Sequence, residues 1–512
     1  MMLREVKIAS FLLACRIWLL LALGSWGRAS AEEVIPDRPE KLQFPPLAYS
    51  PPSPAQFRVQ LKSGPVAYLV PDRELPLINL SILVRTGGYL EPADKTGLAE
   101  FTGYLLTRGG VGDMTADELE ERIAFLAASL SSSVGDDHGT VSLNLLSKDM
   151  DEGLTLLRQA LTKPRFQADK LDLYREQTIQ AMRQRNDDSA AIEARESESL
   201  AYGTNSWVAR QATAETVQSI STDDLKAFHR RWFAPTNFVV AVSGDFDRTN
   251  LLPKLESLFS DWPFVGEKPP PIPTNFVMAR PGIYIVDKDV NQGRVSLMLP
   301  GLRRDDPDYP AVLVMNDILG GGGFTSRIMN RVRSDEGLAY GAGSSFPGGV
   351  DYALPFHAGL ASKSRTVAYA SSLVIEEMRR IATETVSIEE LNTAKRSFID
   401  TFPQNFNTKA KVSLQFARDE FTGRFGKYPE FWNQWRQRIE AVGAQDVLRV
   451  ARQYLTPERA VVLVVGRKDE ILKGYPDHPV TLGSLVPGGI TELPMRDPLT
   501  LSPISQSEKK IH

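Results

Sequence analysis

The side chains that could do chemistry are sparse in this chain. Five histidines, His138, His229, His357, His478 and His512, stand far apart, and no two have the spacing of paired metal ligands. His138, in Asp136-Asp137-His138-Gly139, reads as a polar turn residue; His229, in Phe228-His229-Arg230-Arg231-Trp232, reads as a satisfied or solvated helix position. Gly320-Gly321-Gly322-Gly323 lacks the lysine and the serine or threonine of a phosphate loop, which argues against nucleotide binding. No nucleophile-generating cluster is visible. One polar pair does have a frame: Arg333 and Tyr340 lie seven apart in Arg333-Ser334-Asp335-Glu336-Gly337-Leu338-Ala339-Tyr340. Ile328, Met329 and Val332 give the preceding segment the apolar side of a helix. Gly337 stands where such a helix ends, and Leu338-Ala339-Tyr340 leaves as a strand, so the pair can meet at that junction.

The elements that must position these residues form a pattern that occurs twice. The first copy predicts strands over 66–70 and 79–86, helices over 97–107 and 116–129, a strand over 139–146, and long helices to about 233. The second predicts a strand over 294–299, helices over 309–319 and 325–336, a strand pair within 339–360, and helices to about 455. The copies close alike: Trp232-Phe233-Ala234-Pro235 leads to a run ending Val242-Ser243-Gly244, and Tyr454-Leu455-Thr456-Pro457 to one ending Val464-Val465-Gly466. Two copies of one unit is the economical reading, and strands followed by runs of helices make it α+β.

Length and composition agree. A chain of 512 residues exceeds one ordinary core, and 42% hydrophobic with 24% charged residues is a globular composition. The net charge of −4 comes from interspersed signs and gives no reason to expect nucleic acid. Residues 1–31 read as a secretory signal: Arg4, Lys7 and Arg16 are basic, Ile17-Trp18-Leu19-Leu20-Leu21-Ala22-Leu23 is apolar, and Ala29-Ser30-Ala31 is a cleavage site. An uncleaved anchor over 8–26 is the rival, with Arg16 costly in mid-span; lipidation of Cys15 is a third reading. Cys15 is the one cysteine, so the mature chain has no disulfides, which suits a large exported bacterial protein. No other stretch is long and apolar enough to span a membrane. The expected boundaries are a signal peptide at 1–31, a proline-rich arm at 32–54, a first domain at 55–262, a linker at 263–275, a second domain at 276–470 and a polar tail with little core at 471–512.

Residues 87–110 read GGYLEPADKTGLAEFTGYLLTRGG. Together with Phe233-Ala234-Pro235-Thr236-Asn237, Ser243-Gly244-Asp245 and the block from Gly320 to Tyr340, they make the chain resemble the pitrilysin/insulinase-type metallopeptidases, in the processing-peptidase-like branch. The resemblance covers about residues 55–470. It implies two α/β-sandwich repeats forming a curved half-shell, two such shells enclosing a chamber for unfolded peptides. In the family, an H-x-x-E-H helix places two histidines on one face to bind zinc, and its glutamate takes a proton from the metal-bound water. Here those positions read Glu100-Phe101-Thr102-Gly103-Tyr104, with Glu100 and Tyr104 for the histidines and Gly103 for the base. The region of the third ligand reads Gln177-Thr178-Ile179-Gln180-Ala181-Met182-Arg183-Gln184, without a carboxylate.

Arg333 and Tyr340 match a pair that, in split members of the family, the non-zinc chain contributes. The resemblance implies that the arginine holds substrate carbonyls and that the tyrosine hydroxyl donates to the oxyanion. It also implies that Gly321, Gly322 and Gly323 border the chamber and touch substrate. The expectation is a periplasmic, zinc-free subunit of a heteromeric metallopeptidase, with no cofactor of its own. The partner is a homologous H-x-x-E-H chain carrying zinc, and the substrate a peptide or unfolded segment. An inactive peptide-binding or assembly module of the same fold is the alternative, and a free-standing hydrolase the least favoured reading.

Overall fold

The computed structural model of the chain describes Arg38, Leu42 and residues 48–504. The expected signal segment, most of the 32–54 arm and residues 505–512 lie outside the described residues. Six strands build the first sheet: β1 (Arg58–Gln60), β2 (Val66–Pro71), β3 (Leu77–Val84), β4 (Ser129–Val134), β5 (Gly139–Leu146) and β6 (Phe238–Gly244). Seven build the second: β7 (Gly282–Asp287), β8 (Gln292–Arg303), β9 (Ala339–Ser345), β10 (Gly348–Gly349), β11 (Leu354–Lys363), β12 (Val461–Gly466) and β13 (Ile490–Leu493). The first sheet runs β1-β2-β6-β3-β5-β4 and the second β13-β7-β12-β8-β11-β9, with β10 beside β8. Apart from β1, β10 and β13 the two orders correspond strand for strand. β2 and β6 pair in parallel, as do β7 and β12, and the other corresponding neighbours are antiparallel. The expected α+β duplication is therefore present, and the matching chain endings are its paired strands β6 and β12.

Helices cover the sheets. The ones that matter here are α1 (Leu98–Leu105), α2 (Ala116–Phe125), α3 (Met150–Thr162), α4 (Ala168–Arg183), α5 (Ser189–Tyr202), α6 (Thr222–Trp232), α7 (Val367–Thr383), α8 (Ile388–Thr401), α9 (Lys409–Phe421) and α10 (Ala444–Tyr454). Sequence fixes several starts through capping boxes: Thr115 with Glu118 for α2, Ser221 with Asp224 for α6, and Ser387 with Glu390 for α8. Leu69, Ile82, Phe101, Val141, Phe228 and Trp232 belong to the first core. Ile285, Leu297, Val312, Phe356, Met378, Val447 and Val464 belong to the second.

Every residue of β6 and of β12 is buried. A strand covered on one face alternates; one covered on both reads as a continuous apolar run. The second cover comes from the opposite half. Helix α9 lies across β6, β2 and β3, and α5 lies across β12 and β8. Ile192, Leu200 and Ala201 of α5 share a core with Val286, Met298, Val461, Leu463 and Val465. Carboxylates anchor both crossings. Glu420 on α9 accepts two hydrogen bonds from Arg58, each 3.0 Å, and one from the Tyr68 hydroxyl at 2.9 Å. Arg85 donates to the Phe421 carbonyl at 2.7 Å. Glu193 on α5 pairs with Arg294 and accepts from the Ser296 hydroxyl, which also lies 2.9 Å from His357 Nε2.

Some expectations differ from what the chain does. The helix expected over 116–129 stops at Phe125, and Ala127 adopts φ 47° before β4 begins. The β4 sequence Ser129-Leu130-Ser131-Ser132-Ser133-Val134 is too serine-rich to announce a strand, but β5 pairs along its whole length. The segment after 473 is not a coreless tail. Leu482, Leu485 and Val486 are buried in the second core, β13 pairs in parallel with β7, and Arg496 makes a bidentate contact to buried Glu196 at 2.9 and 3.1 Å. Its prolines and polar residues suit an edge strand and a surface strap, which is why composition alone suggested a tail.

Replacing Glu420 by Ala strands Arg58 and Tyr68 under α9. The expected loss is about 2–3 kcal/mol of unfolding free energy, read by urea denaturation followed through tryptophan fluorescence.

Candidate functional site

Helix α1 begins under a half-buried carboxylate. Glu91 accepts hydrogen bonds from the backbone N–H of Gly97 at 3.1 Å and of Ala99 at 2.5 Å, satisfying donors that a helix start leaves open. Burial outweighs those bonds and pushes the Glu91 pKa up to about 7. Leu98, Ala99, Phe101 and Leu105 pin α1 to the sheet.

The exposed face of α1 is where zinc ligands would stand. A tyrosine from α4 fills it. Tyr174 donates from its hydroxyl to Glu100 at 2.8 Å, and its ring lies flat on Tyr104 with centroids 3.7 Å apart and planes at 6°. Phe101 meets the same ring at 4.6 Å, and the Arg108 guanidinium sits 4.6 Å over Tyr104. Burial and the Glu100 charge raise the Tyr174 phenol far above its ordinary pKa, so it stays a donor to Glu100. A cavity of about 500 Å³ adjoins this stack between α1, α2, β4 and α4. The third ligand is expected within 177–184; the residue brought to the helix is Tyr174, three positions earlier.

Gly103 has a different job from the one a base would do. A Cβ there would lie 2.3 Å from the Val134 backbone nitrogen and 2.7 Å from the Ser133 carbonyl carbon. The glycine lets α1 press onto edge strand β4, an approach also held by a hydrogen bond from the Ser132 hydroxyl to the Gly103 carbonyl. The residues therefore do not fit zinc: both histidine positions are filled by an aromatic stack and its carboxylate acceptor, and the base position has no room for a side chain. Among the described residues, no three His, Cys, Asp or Glu side chains stand close enough to hold a metal ion.

In the second half the structure brings Arg333 and Tyr340 together. The short helix Arg327–Met329 widens into a π-turn over Asn330–Asp335, with Ile328 and Val332 buried beneath. Gly337 ends it at φ 63°, donating to the Arg333 carbonyl at 3.1 Å, while the Leu338 N–H reaches the Val332 carbonyl at 2.9 Å. Strand β9 starts at once, and its pairing with β11 slips between Ala339 and Ala342. That bulge turns Tyr340 outward, and it is 84% exposed. Arg333 Nη1 donates to the Tyr340 carbonyl at 2.7 Å, and the guanidinium carbon lies 4.4 Å from the Tyr340 ring centroid and 4.8 Å from that of Phe324. No contact among the described residues links this group to Glu100, Gly103 or Tyr104.

The glycine run before the pair is spent largely on packing. A Cβ at Gly320 would meet the Ser344 nitrogen at 2.4 Å, one at Gly321 the Asn316 side chain at 2.6 Å, and one at Gly322 the Asp317 carbonyl at 2.7 Å. Gly323, at φ 60°, faces open space. Elsewhere His229 is fully buried and uncharged; burial lowers its pKa to about 4, and its Nε2 bonds the Leu161 carbonyl of α3 at 2.9 Å.

A model of the insulinase family, peptidase family M16, matches residues 72–206, and a model of the peptidase M16 inactive domain matches residues 219–398. The chain belongs to the M16 peptidase family. Among M16-type relatives, the non-peptidase homolog YmxG of Helicobacter pylori is 26% identical over 335 residues, spanning 64% of this chain and 76% of that protein. An uncharacterized zinc protease of Mycobacterium bovis is 25% identical over 383 residues, spanning 74% of this chain and 86% of that protein. The solved peptidase M16 inactive domain from Pseudomonas fluorescens shares the fold, with TM-score 0.70 and 24% identity over 80% of this chain and 97% of its own. So does the periplasmic protease PqqL from Escherichia coli, with TM-score 0.68 and 16% identity over 86% of this chain and 49% of its own. With the geometry of α1, these likenesses describe an M16-fold chain that lacks the zinc motif.

Two sets of outcomes follow from this M16 site. The triple replacement Glu100→His, Gly103→Glu, Tyr104→His is expected to recover no stoichiometric zinc by elemental analysis, and Gly103→Ala alone to cost about 1–3 kcal/mol in urea unfolding. The second concerns Glu91, whose folded pKa of about 7 exceeds its unfolded value of 4.5. The folded chain then holds the extra proton between those values, so this contribution to stability is complete below about pH 4.5 and is lost as pH rises through 7. Glu91→Gln should flatten that part of the melting-temperature profile.

Proposed function

We propose that this M16-family chain is the zinc-free subunit of a heteromeric peptidase acting on peptides or unfolded segments. A homologous partner with an intact H-x-x-E-H motif supplies zinc and the glutamate base. The observation that carries the reading is the contrast within one chain: α1 is filled by Tyr174, while Arg333 and Tyr340 are assembled at the surface of an open edge strand. The Arg333 N–H groups suit the carbonyls of an extended peptide. Tyr340 as a residue is 84% exposed, and its hydroxyl suits a developing oxyanion. Strands β4 and β9 end their sheets, so each offers an edge for a peptide to pair with. No cofactor is assigned to this chain.

Export to the periplasm is part of the proposal. It rests on the basic, apolar and small-residue order of residues 1–31. Among the described residues, no helix is long and apolar enough to cross a membrane.

A second reading, an inactive peptide receptor or assembly module, has one observation in its favour. Arg333 is already engaged by the Tyr340 carbonyl in the free chain. Purified together, the two chains should cleave peptide where neither does alone, and Tyr340→Phe should lower turnover about 10²–10³-fold while the complex still elutes intact. Unchanged turnover in that variant transfers the argument to the receptor reading.

A further inference from the structure

The turn between the glycine run and Arg333 carries an aromatic side chain that no core requires. Phe324 is 65% exposed. Its turn is nevertheless well fixed. The Thr325 hydroxyl donates to the Gly322 carbonyl at 2.8 Å, the Ser326 hydroxyl to the Gly323 carbonyl at 2.7 Å, and the Gly322 N–H to the Asp317 carbonyl at 2.9 Å. Gly320 is wedged against Ser344 of β9, so the turn cannot drift from the strand that carries Tyr340.

Arginines nearby are held in another way. Arg327 is clamped by Glu390 at 2.6 and 3.0 Å, and Arg331 by Glu336 at 2.9 Å. Among the described residues Arg333 has no carboxylate; it has two rings and one main-chain carbonyl. The difference is chemical. A carboxylate engages the N–H edge of a guanidinium and neutralises it, whereas an aromatic ring engages its π face and leaves charge and N–H groups available.

We propose that Phe324 is a positioning residue: with Tyr340 it holds the Arg333 guanidinium through ring contacts, so that its N–H edge is presented, oriented and un-neutralised, to the main-chain carbonyls of an extended peptide. This rests on the reading that Arg333 grips peptide. It also makes Phe324 part of the binding machinery without contacting the scissile bond.

The test is binding of fluorescein-labelled casein, an unfolded polypeptide, to the full chain by fluorescence anisotropy. Phe324→Ala should raise Kd about two- to fivefold, the range an exposed cation–π contact supplies, with no change in melting temperature. Phe324→Tyr should restore affinity, and Phe324→Leu, apolar but without a π face, should not. In a double-mutant cycle, Phe324→Ala should have no further effect once Arg333 is Ala. If Arg333→Ala weakens binding but Phe324→Ala does not, or if the two effects simply add, the positioning role is overturned and the gripping role stands. If Arg333→Ala leaves casein binding unchanged, the gripping role itself fails and this inference with it.

Discussion

Each sheet of this protein is completed by a helix from the other half, and the rest of the structure depends on that exchange. β6 and β12 are buried along their whole length, and a strand so apolar on both faces needs two covers. One cover is local. The other is α9 for the first sheet and α5 for the second. Each half's central strand is covered by the other half, and residues 50–504 form one compact unit despite being two copies of a fold. Glu420 and Glu193 bring charge into these crossings, where each carboxylate is matched by an arginine and a hydroxyl. Such matched groups do little for net stability compared with an apolar contact, but they tolerate no other register of helix on sheet.

The central strands are roofed from across the molecule, and β4 and β9 each end a sheet, opposite β1 and β13. The duplication then places the same device at each. A glycine presses a helical turn onto the edge strand: Gly103 onto Ser133 and Val134 of β4, Gly320 onto Gly343 and Ser344 of β9. The consequences diverge. In the first half the close approach removes the space in which a glutamate base would stand. In the second it holds the turn that bears Phe324 against the strand that carries Tyr340, and Arg333 lies between the two rings. One packing solution thus both closes the metal position and supports the half-buried Arg333.

Much of this was legible in the sequence, for identifiable reasons. The chain endings Val-Ser-Gly and Val-Val-Gly are the buried strands β6 and β12, whose double cover forces an unbroken apolar run. The junction of Arg333 and Tyr340 was readable because Gly337 breaks a helix at a fixed distance from both. What escaped was set by tertiary contact. Serine-rich β4 becomes a strand because β5 pairs with it, Tyr174 is unremarkable on an exposed helix until it meets Tyr104, and Phe324 reads as an ordinary loop residue until Arg333 packs on it. The tail misled because an edge strand and a strap carry few apolar residues, although Leu482, Leu485 and Val486 do enter the core.

The α1 site and the β9 site also differ in how completely their polar groups are partnered, and that difference bears on function. On α1 the Glu100 carboxylate has the Tyr174 hydroxyl, the Tyr104 ring has Tyr174 and Arg108, and the base position is closed by backbone. Among the described residues no metal-binding cluster stands there. At β9 an exposed phenol, an exposed phenyl ring and a guanidinium without a carboxylate are gathered within one short stretch of chain. Folding alone gives no reason for that gathering, since burying two aromatic rings would stabilise the chain by about 1.5–3 kcal/mol each. Large exposed aromatics beside an arginine are instead the composition of surfaces that bind. An inert helix and a reactive-looking edge in one chain make sense together if the covalent work is done elsewhere and this protein's part is to hold the peptide still.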